Sequence, residues 1–511
     1  MMAHLPIVPI LLPFLAGTLL LAFGRLSLPA QRWLALASVL AQIGAAIALL
    51  TAVSGGDILV YRLGDWPAPW GIVLVADRLS AWMVLTTTLL ALWALIYAGN
   101  GVDGQGRHFH VLFQLQLFGL AGAFLTGDLF NLFVFFEILL IASYGLALHG
   151  GGQARTRAGL HYVVMNLAGS TVFLFAAGLI YAALGSLNLA DLALKAATLT
   201  PDKLGLARAG GLLLLAVFAL KAALLPLHLW LPAAYSGTSA PVAALFAIMT
   251  KVGVYAILRS HTLLFGDGAG ALAHLFDPWL LPLALATILV ATLGALAADS
   301  LGRLSGYLVL VSVGTLLSAV AVGTDGIAAG LYYLPHSTFT AALLFLLADA
   351  IKRRRPGSGD HLIPDADMPR HALWGGLFFA AAVAAAGLPP LSGFIGKFLI
   401  LRAAPGQPWV WAVILLAALL ALMALARAGS QVFFNSLPAT GAAAAKASKS
   451  ASGVVTPGAS TARDLLAIGG LLGLILALTL FAGPAFEFAH ATARQLAEPA
   501  HYINAVLGAK P

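Results

Sequence analysis

Along this chain apolar residues come in long runs, each near the ~20 residues that an α-helix needs to cross ~30 Å of hydrocarbon, with polar residues gathered in short stretches between them. Such runs begin near Leu5, Trp33, Arg78, Phe109, Asp128, Leu160, Ala209, Ser239, Pro278, Arg303, Ile327, Ala372, Trp409 and Leu465. The pattern predicts an all-α integral membrane protein of about fourteen transmembrane helices. The first run lacks a basic leader and a clear small-residue cleavage site, so it reads as a retained span rather than a signal peptide. Three segments depart from the rhythm. "YRLGDWPAPWGIVLVAD" from Tyr61 alternates on either side of a Pro-rich turn and predicts an extracytoplasmic hairpin. Leu189 to Ala207 predicts an interfacial amphipathic helix. Ala443 to Thr461 reads as a poorly ordered linker of small residues, Lys and Ser.

Grouping the runs by fives uncovers a repeat. Spans 4 to 8 occupy residues 109–259 and spans 9 to 13 occupy residues 278–427, leaving 1–108 as an N-terminal unit of three spans and 428–511 as linker, last span and tail. Five is odd, so the second copy must be inverted relative to the first. The fourth member of each group carries helix breakers: Pro226 in "ALKAALLPLHLWLP", and Pro389 and Pro390 in "AAGLPPLSGFIGKF". Carbonyls freed at membrane depth are tolerated only when buried in protein or facing water. Inverted repeats with paired broken helices therefore point to ion transport.

Composition agrees: 61% of the 511 residues are apolar and 9% charged, and the mean hydropathy is +0.97. No stretch between spans is long enough for a soluble domain. Without cysteine there are no disulfides, thiolate metal sites or iron–sulfur ligands, and no cofactor site is expected. The net charge of +8 is spread over many short loops, which excludes a nucleic-acid patch. Fifteen Lys and Arg fall in the odd-numbered loops and nine on the other side, so the positive-inside rule places both termini outside. The "KRRR" run at Lys352 to Arg355 reads as topogenic, with lipid headgroups or a neighbouring subunit as other uses.

Three lysines remain, and all lie inside spans: Lys221, Lys251 and Lys397. Glu137 is the acid at mid-span, nine residues past Asp128 or about 13 Å deep at 1.5 Å per residue. Each such charge costs on the order of 3 kcal/mol to insert, so it must pair or meet water. A static ion pair is a weak reason to keep them, because buried pairs rarely outperform apolar packing. Proton exchange is a better one. Desolvation favours a neutral lysine and a nearby carboxylate a charged one, so Glu137 can govern Lys221, Lys221 can bias Lys251, and the path can continue to Lys397. His336 in span 11 suits a relay between Lys251 and Lys397. His228 and Ser312 are candidate supporting groups, and Asp349, at a helix end beside Lys352, suits capping or pairing. His108, His110, His149 and His161 read as interfacial.

At these positions the chain resembles the antiporter-like family shared by respiratory complex I and the Mrp-type multisubunit cation/proton antiporters, most closely the branch formed by the D-type subunits of the latter. The motifs are "GDLFNLFVFFEILLIASY", "ALKAALLPLHLWLPAAY", "TSAPVAALFAIMTKVGVYAILR" and "GLPPLSGFIGKF", and the likeness covers nearly the whole chain. The resemblance implies a hydrophilic mid-membrane axis through Glu137, Lys221, Lys251, His336 and Lys397. It also implies a secondary transporter subunit of the cell membrane that moves H+, with Na+ or another monovalent cation exchanged and other membrane subunits as partners. Ser312 stands where many complex I relatives have a histidine, and Lys397 where one has a glutamate. The other reading is a proton-pumping subunit of a complex I-like NADH or ferredoxin oxidoreductase.

Overall fold

The computed structural model describes residues 2–24, 26–355, 357–365, 368–434 and 460–508. In chain order its helices are α1 (Val8–Ala22), α2 (Leu28–Val53), α3 (Arg78–Ala98), α4 (Phe109–Leu125), α5 (Leu129–Leu148), α6 (Gln153–Leu184) and α7 (Leu189–Ala197). Then come α8 (Pro201–Ala222), α9 (Trp230–Gly237), α10 (Ala240–Phe246), α11 (Met249–Arg259), α12 (Asp277–Ala297), α13 (Leu301–Ala321) and α14 (Thr324–Lys352). The last are α15 (His371–Ala386), α16 (Ser392–Arg402), α17 (Pro408–Gly429), α18 (Thr461–Leu480), α19 (Ala482–Ala497) and α20 (Pro499–Leu507). Twelve helical stretches among the described residues are long and apolar enough to cross a membrane, and Phe109–Leu125 and His371–Ala386 are shorter apolar helices. The linker expected over 443–461 lies, up to residue 459, outside the described residues.

Two stretches occupy the centre. The most apolar part of Ala240–Leu264 is wholly buried and that of Thr324–Lys352 nearly so, whereas the corresponding part of several outer helices is buried over only about a third of its length. That difference has a physical source: an outer helix meets lipid as apolar as itself over much of its surface, so its polar groups must turn inward, toward protein partners. Lys251 and His336 lie on these two central elements.

Span starts are set locally. Asp77 accepts from Ser80 N while Ser80 Oγ accepts from Asp77 N, both at 2.9 Å, a capping box that opens α3. Asp128 and Ser300 cap α5 and α13 in the simpler way, each accepting from the amide three residues on. The hairpin read from Tyr61 is present, with β1 (Leu59–Arg62) antiparallel to β2 (Val73–Ala76).

The helix read over Leu189 to Ala207 is corrected: α7 stops at Ala197 and α8 starts at Pro201. Thr200 is extended, as a residue before proline tends to be, and Pro201 opens the new helix at its first turn. The apolar face of α7 is buried within the protein, where it packs against α20. Both proline breaks are present, α8 ending at Ala222 with α9 resuming at Trp230, and α15 ending at Ala386 with α16 resuming at Ser392. A further irregularity has no proline or glycine to announce it. Between α10 and α11 the amides of Ala247, Ile248 and Lys251 bond three residues back instead of four, so the chain tightens directly ahead of Lys251.

Ion pairs fasten the helix ends. Of the basic run, Arg353 and Arg354 bond Asp464 of α18 at 2.7 and 2.9 Å, and Arg355 donates to the carbonyls of Gly359 and His361. Asp349 pairs with Arg353 at 3.0 Å rather than with Lys352, and accepts from Tyr97 Oη at 2.7 Å. Arg259 holds Asp77 at 2.6 Å. His110 and His149, at the start of α4 and the end of α5, are buried in the protein, with His110 against Asp103 at 3.2 Å and His149 against the Val102 carbonyl at 3.1 Å.

Asp103, in the loop after α3, offers a pH test. Burial by itself would push its carboxyl up, but the bonds from Arg32 (2.6 Å) and His110 outweigh that and hold it at about 2, below the ordinary 3.8. A depressed folded value means stability that is whole above the unfolded value and lost as pH falls toward the folded one. The difference in melting temperature between wild type and Asp103→Asn in detergent is therefore expected to be full above about pH 4 and to shrink toward nothing by about pH 2.

Candidate membrane-embedded charge axis

Each in-span charge is placed by a different local device. Lys221 stands in the last turn of α8, directly before the Pro226 break, and its Nζ donates to Asn166 of α6 at 3.3 Å, to both the main-chain oxygen and Oδ1. Lys251 is fully buried, and its Nζ donates to Ser312 Oγ of α13 at 3.1 Å. Lys397, in the second turn of α16, reaches back across the second break to the carbonyls of Ala386 (2.7 Å) and Ala385 (3.4 Å). Those oxygens belong to the last turn of α15, where helix carbonyls have no intrahelical partner and the dipole is negative, so a cation fits them well. Gly387 permits the reach: its φ is +77°, and a Cβ there would stand 2.7 Å from Lys397 Cδ.

His336, buried in α14, exchanges a hydrogen bond with Ser392 Oγ at 2.9 Å, which ties it to the helix that carries Lys397. Glu137 is half-buried on α5, and its Oε1 has no hydrogen-bond partner among the described residues. Among the described residues it forms no ion pair with Lys221, whose partner is Asn166. His228 lies in the first break with Nδ1 unpartnered.

The structure therefore brings these groups together in pairs of neighbours. Lys221 and Lys251 share one helix contact, because a Cβ on Gly253 of α11 would stand 2.4 Å from the Ala222 amide. His336 and Lys397 meet across Ser392. Between Lys251 and His336 no hydrogen bond or ion pair is found among the described residues. Asp349, thirteen residues past His336 on α14 and so about 20 Å along the axis, belongs to the helix-end network instead.

One contrast separates these lysines from three arginines at the helix ends. Buried Arg259 and half-buried Arg353 and Arg354 all sit on carboxylates, whereas buried Arg355 rests on main-chain carbonyls. Lys221, Lys251 and Lys397 have only neutral oxygens, an amide, a hydroxyl and main-chain carbonyls, and among the described residues none makes an ion pair. A charge kept for packing needs its counter-charge; a charge that comes and goes needs partners that tolerate its absence.

Sequence reading missed Asn166, Ser392 and the carbonyl cradle. For Asn166 there was a signal, a lone amide within the apolar "HYVVMNLAGS", since an amide in hydrocarbon must find a partner. For the cradle the signal is Pro389 and Pro390, which free the carbonyls of Ala385 and Ala386; nothing in the sequence marks Lys397 as the group that meets them.

A many-span helical membrane protein with an unpaired lysine series at its centre is the class that fold and site define. The profile for the transmembrane proteins of NADH:quinone oxidoreductase and Mrp antiporters matches residues 126–423, and the chain belongs to this family. It is 42% identical to the D subunit of a probable K+/H+ antiporter of Rhizobium meliloti (strain 1021), over 99% of this chain and 98% of that one. To the D subunit of the Na+/H+ antiporter of Alkalihalophilus pseudofirmus it is 36% identical, over 99% and 100%. Among solved structures, a chain of the Mrp complex from Dietzia sp. DQ12-45-1b superimposes with a TM-score of 0.85 at 29% identity, covering 99% of both chains.

Proposed function

We propose that this chain is the proton-translocating membrane subunit of a multisubunit cation/proton antiporter: a secondary transporter subunit, working beside other membrane subunits, that exchanges H+ for Na+ or K+. The observation that carries this is the set of three buried lysines with neutral partners only. The relatives support the exchange reaction, since those named as antiporter subunits match over the whole chain.

In this reading the proton moves laterally. Glu137 biases the charge of Lys221, Lys221 that of Lys251 across the Gly253 contact, and His336 passes the change to Lys397 through Ser392. Uptake driven by the membrane potential supplies about 2.3 kcal/mol per charge per 100 mV. The two shorter apolar helices also cross, making fourteen spans, and residues 109–259 and 278–427 are inverted copies flanked by units 1–108 and 428–511. What favours the inversion is the mirrored position of the lysines, before the break in one copy and after it in the other. The loop charges favour both termini outside.

The test is cation-dependent proton movement in inverted vesicles carrying the complete complex. A flavin or iron–sulfur signal co-purifying with the complex would overturn exchange in favour of redox-driven pumping. Within the axis, His336→Ala is expected to slow flux without abolishing it, because Ser392 and a water can still connect the two sides. Wild-type rates would return His336 to a packing role.

A further inference from the structure

Lys221 borders a cavity of about 20 Å³ lined by Phe136, Leu139, Tyr162, Asn166, Met249 and Val252 among others. That is room for about one water, which needs some 10–15 Å³ and two to four polar partners. The Lys221 ammonium, the Asn166 amide and the Tyr162 hydroxyl supply them. The far wall is Met249 and Val252, the residues on either side of the Thr250–Lys251 pair, so the cavity spans the gap between the two lysines' helices.

Asn166 is held rigidly at this point. Its Nδ2 donates to the Tyr162 carbonyl at 2.9 Å, which turns Oδ1 toward Lys221, and its own carbonyl receives Ser170 Oγ at 3.1 Å as well as Lys221. One turn on, Gly169 lets α6 come close: a Cβ there would stand 2.4 Å from Leu220 Cδ2 and 3.7 Å from Lys221 Nζ. The partner offered to the ammonium is thus fixed in place and carries no charge. A carboxylate at the same distance would keep the proton on Lys221; an apolar side chain would leave the ammonium free to swing away from the cavity.

We infer that Asn166 is a positioning residue, which holds the Lys221 ammonium against a one-water chamber through which its proton passes toward Lys251. This deepens the axis proposed above and rests on it. The titratable groups around Lys221 are Glu137 and Tyr144 of α5, Tyr162 of α6, His228 in the break and Lys251 of α11, and none is altered by substitution at Asn166.

Opposite substitutions should move the pH profile of flux in opposite directions. In vesicles with the complete complex, Asn166→Asp is expected to shift the profile to higher pH by about one unit or more, the size of effect one adjacent opposite charge exerts on a titration. Asn166→Ala removes an acceptor of the charged form and is expected to shift it to lower pH. Should the alanine variant not assemble, Asn166→Ser carries the same test with a smaller shift in the same direction. A role in packing alone lowers flux in all variants with the profile unmoved, and that result overturns the inference. Lys221→Ala is run in the same vesicles: if it retains flux the axis itself is wrong, whereas if it is inactive and both Asn166 variants keep the wild-type profile, only the role of Asn166 is.

Discussion

Lys221→Ala is expected to abolish cation-dependent proton flux in inverted vesicles while the complex still assembles, and Glu137→Ala to do the same. Assembly should survive because neither side chain is half of a structural ion pair. Lys221 leaves behind only Asn166 Oδ1 and a carbonyl that keeps its bond from Ser170, and Glu137 Oε1 leaves no hydrogen-bond partner among the described residues. Removing either also removes a charge from hydrocarbon, which by insertion scales is favourable by roughly 3 kcal/mol. Flux should nevertheless cease. Without Lys221 the series loses the lysine that stands between Glu137 and Lys251, and without Glu137 it loses its acid. Retained flux in both variants, with the complex intact, would remove the mechanism.

The second large effect is on stability. Asp464→Ala is expected to destabilise the chain by about 3 kcal/mol, near the lower end of the range for breaking a buried charge pair by removing one partner. Asp464 is fully buried and gathers Arg353, Arg354 and the Asn100 amide, the last at 2.6 Å. Arg353 would keep Asp349, so the cost falls mainly on Arg354, left with the Ala350 carbonyl, Thr461 and the face of Trp374 4.0 Å away. Melting in detergent and the yield of assembled complex measure it, and Asp464→Asn should lie between the two. An unchanged melting temperature would show that this network does not hold α18 to α3 and α14. The contrast with Lys221 is the point: arginines on carboxylates brace the helix ends, lysines on neutral oxygens occupy the middle.

Much of this was legible beforehand. Pro226, Pro389 and Pro390 mark the two breaks because proline removes a donor and clashes with the preceding turn, an effect confined to a few residues. The tightening before Lys251 was hidden, since "FAIMTK" contains no breaker. The end of α7 at Ala197 was in fact marked by Thr200–Pro201, but the amphipathic pattern running past it was given more weight. The basic run was legible as charge and illegible as contact. Arg354 lies 110 residues from the Asp464 it binds.

The sequence by itself determined that the chain lives in a membrane, where prolines break two of its helices, and which four charged side chains its apolar runs enclose, because hydropathy, proline and charge act through the residue itself and its near neighbours. The tertiary structure alone decided what those side chains touch. Whether a buried cation meets an aspartate, an amide or a bare carbonyl depends on which helix packs alongside and at what turn, and that choice separates the groups that hold this protein together from those proposed to carry its protons.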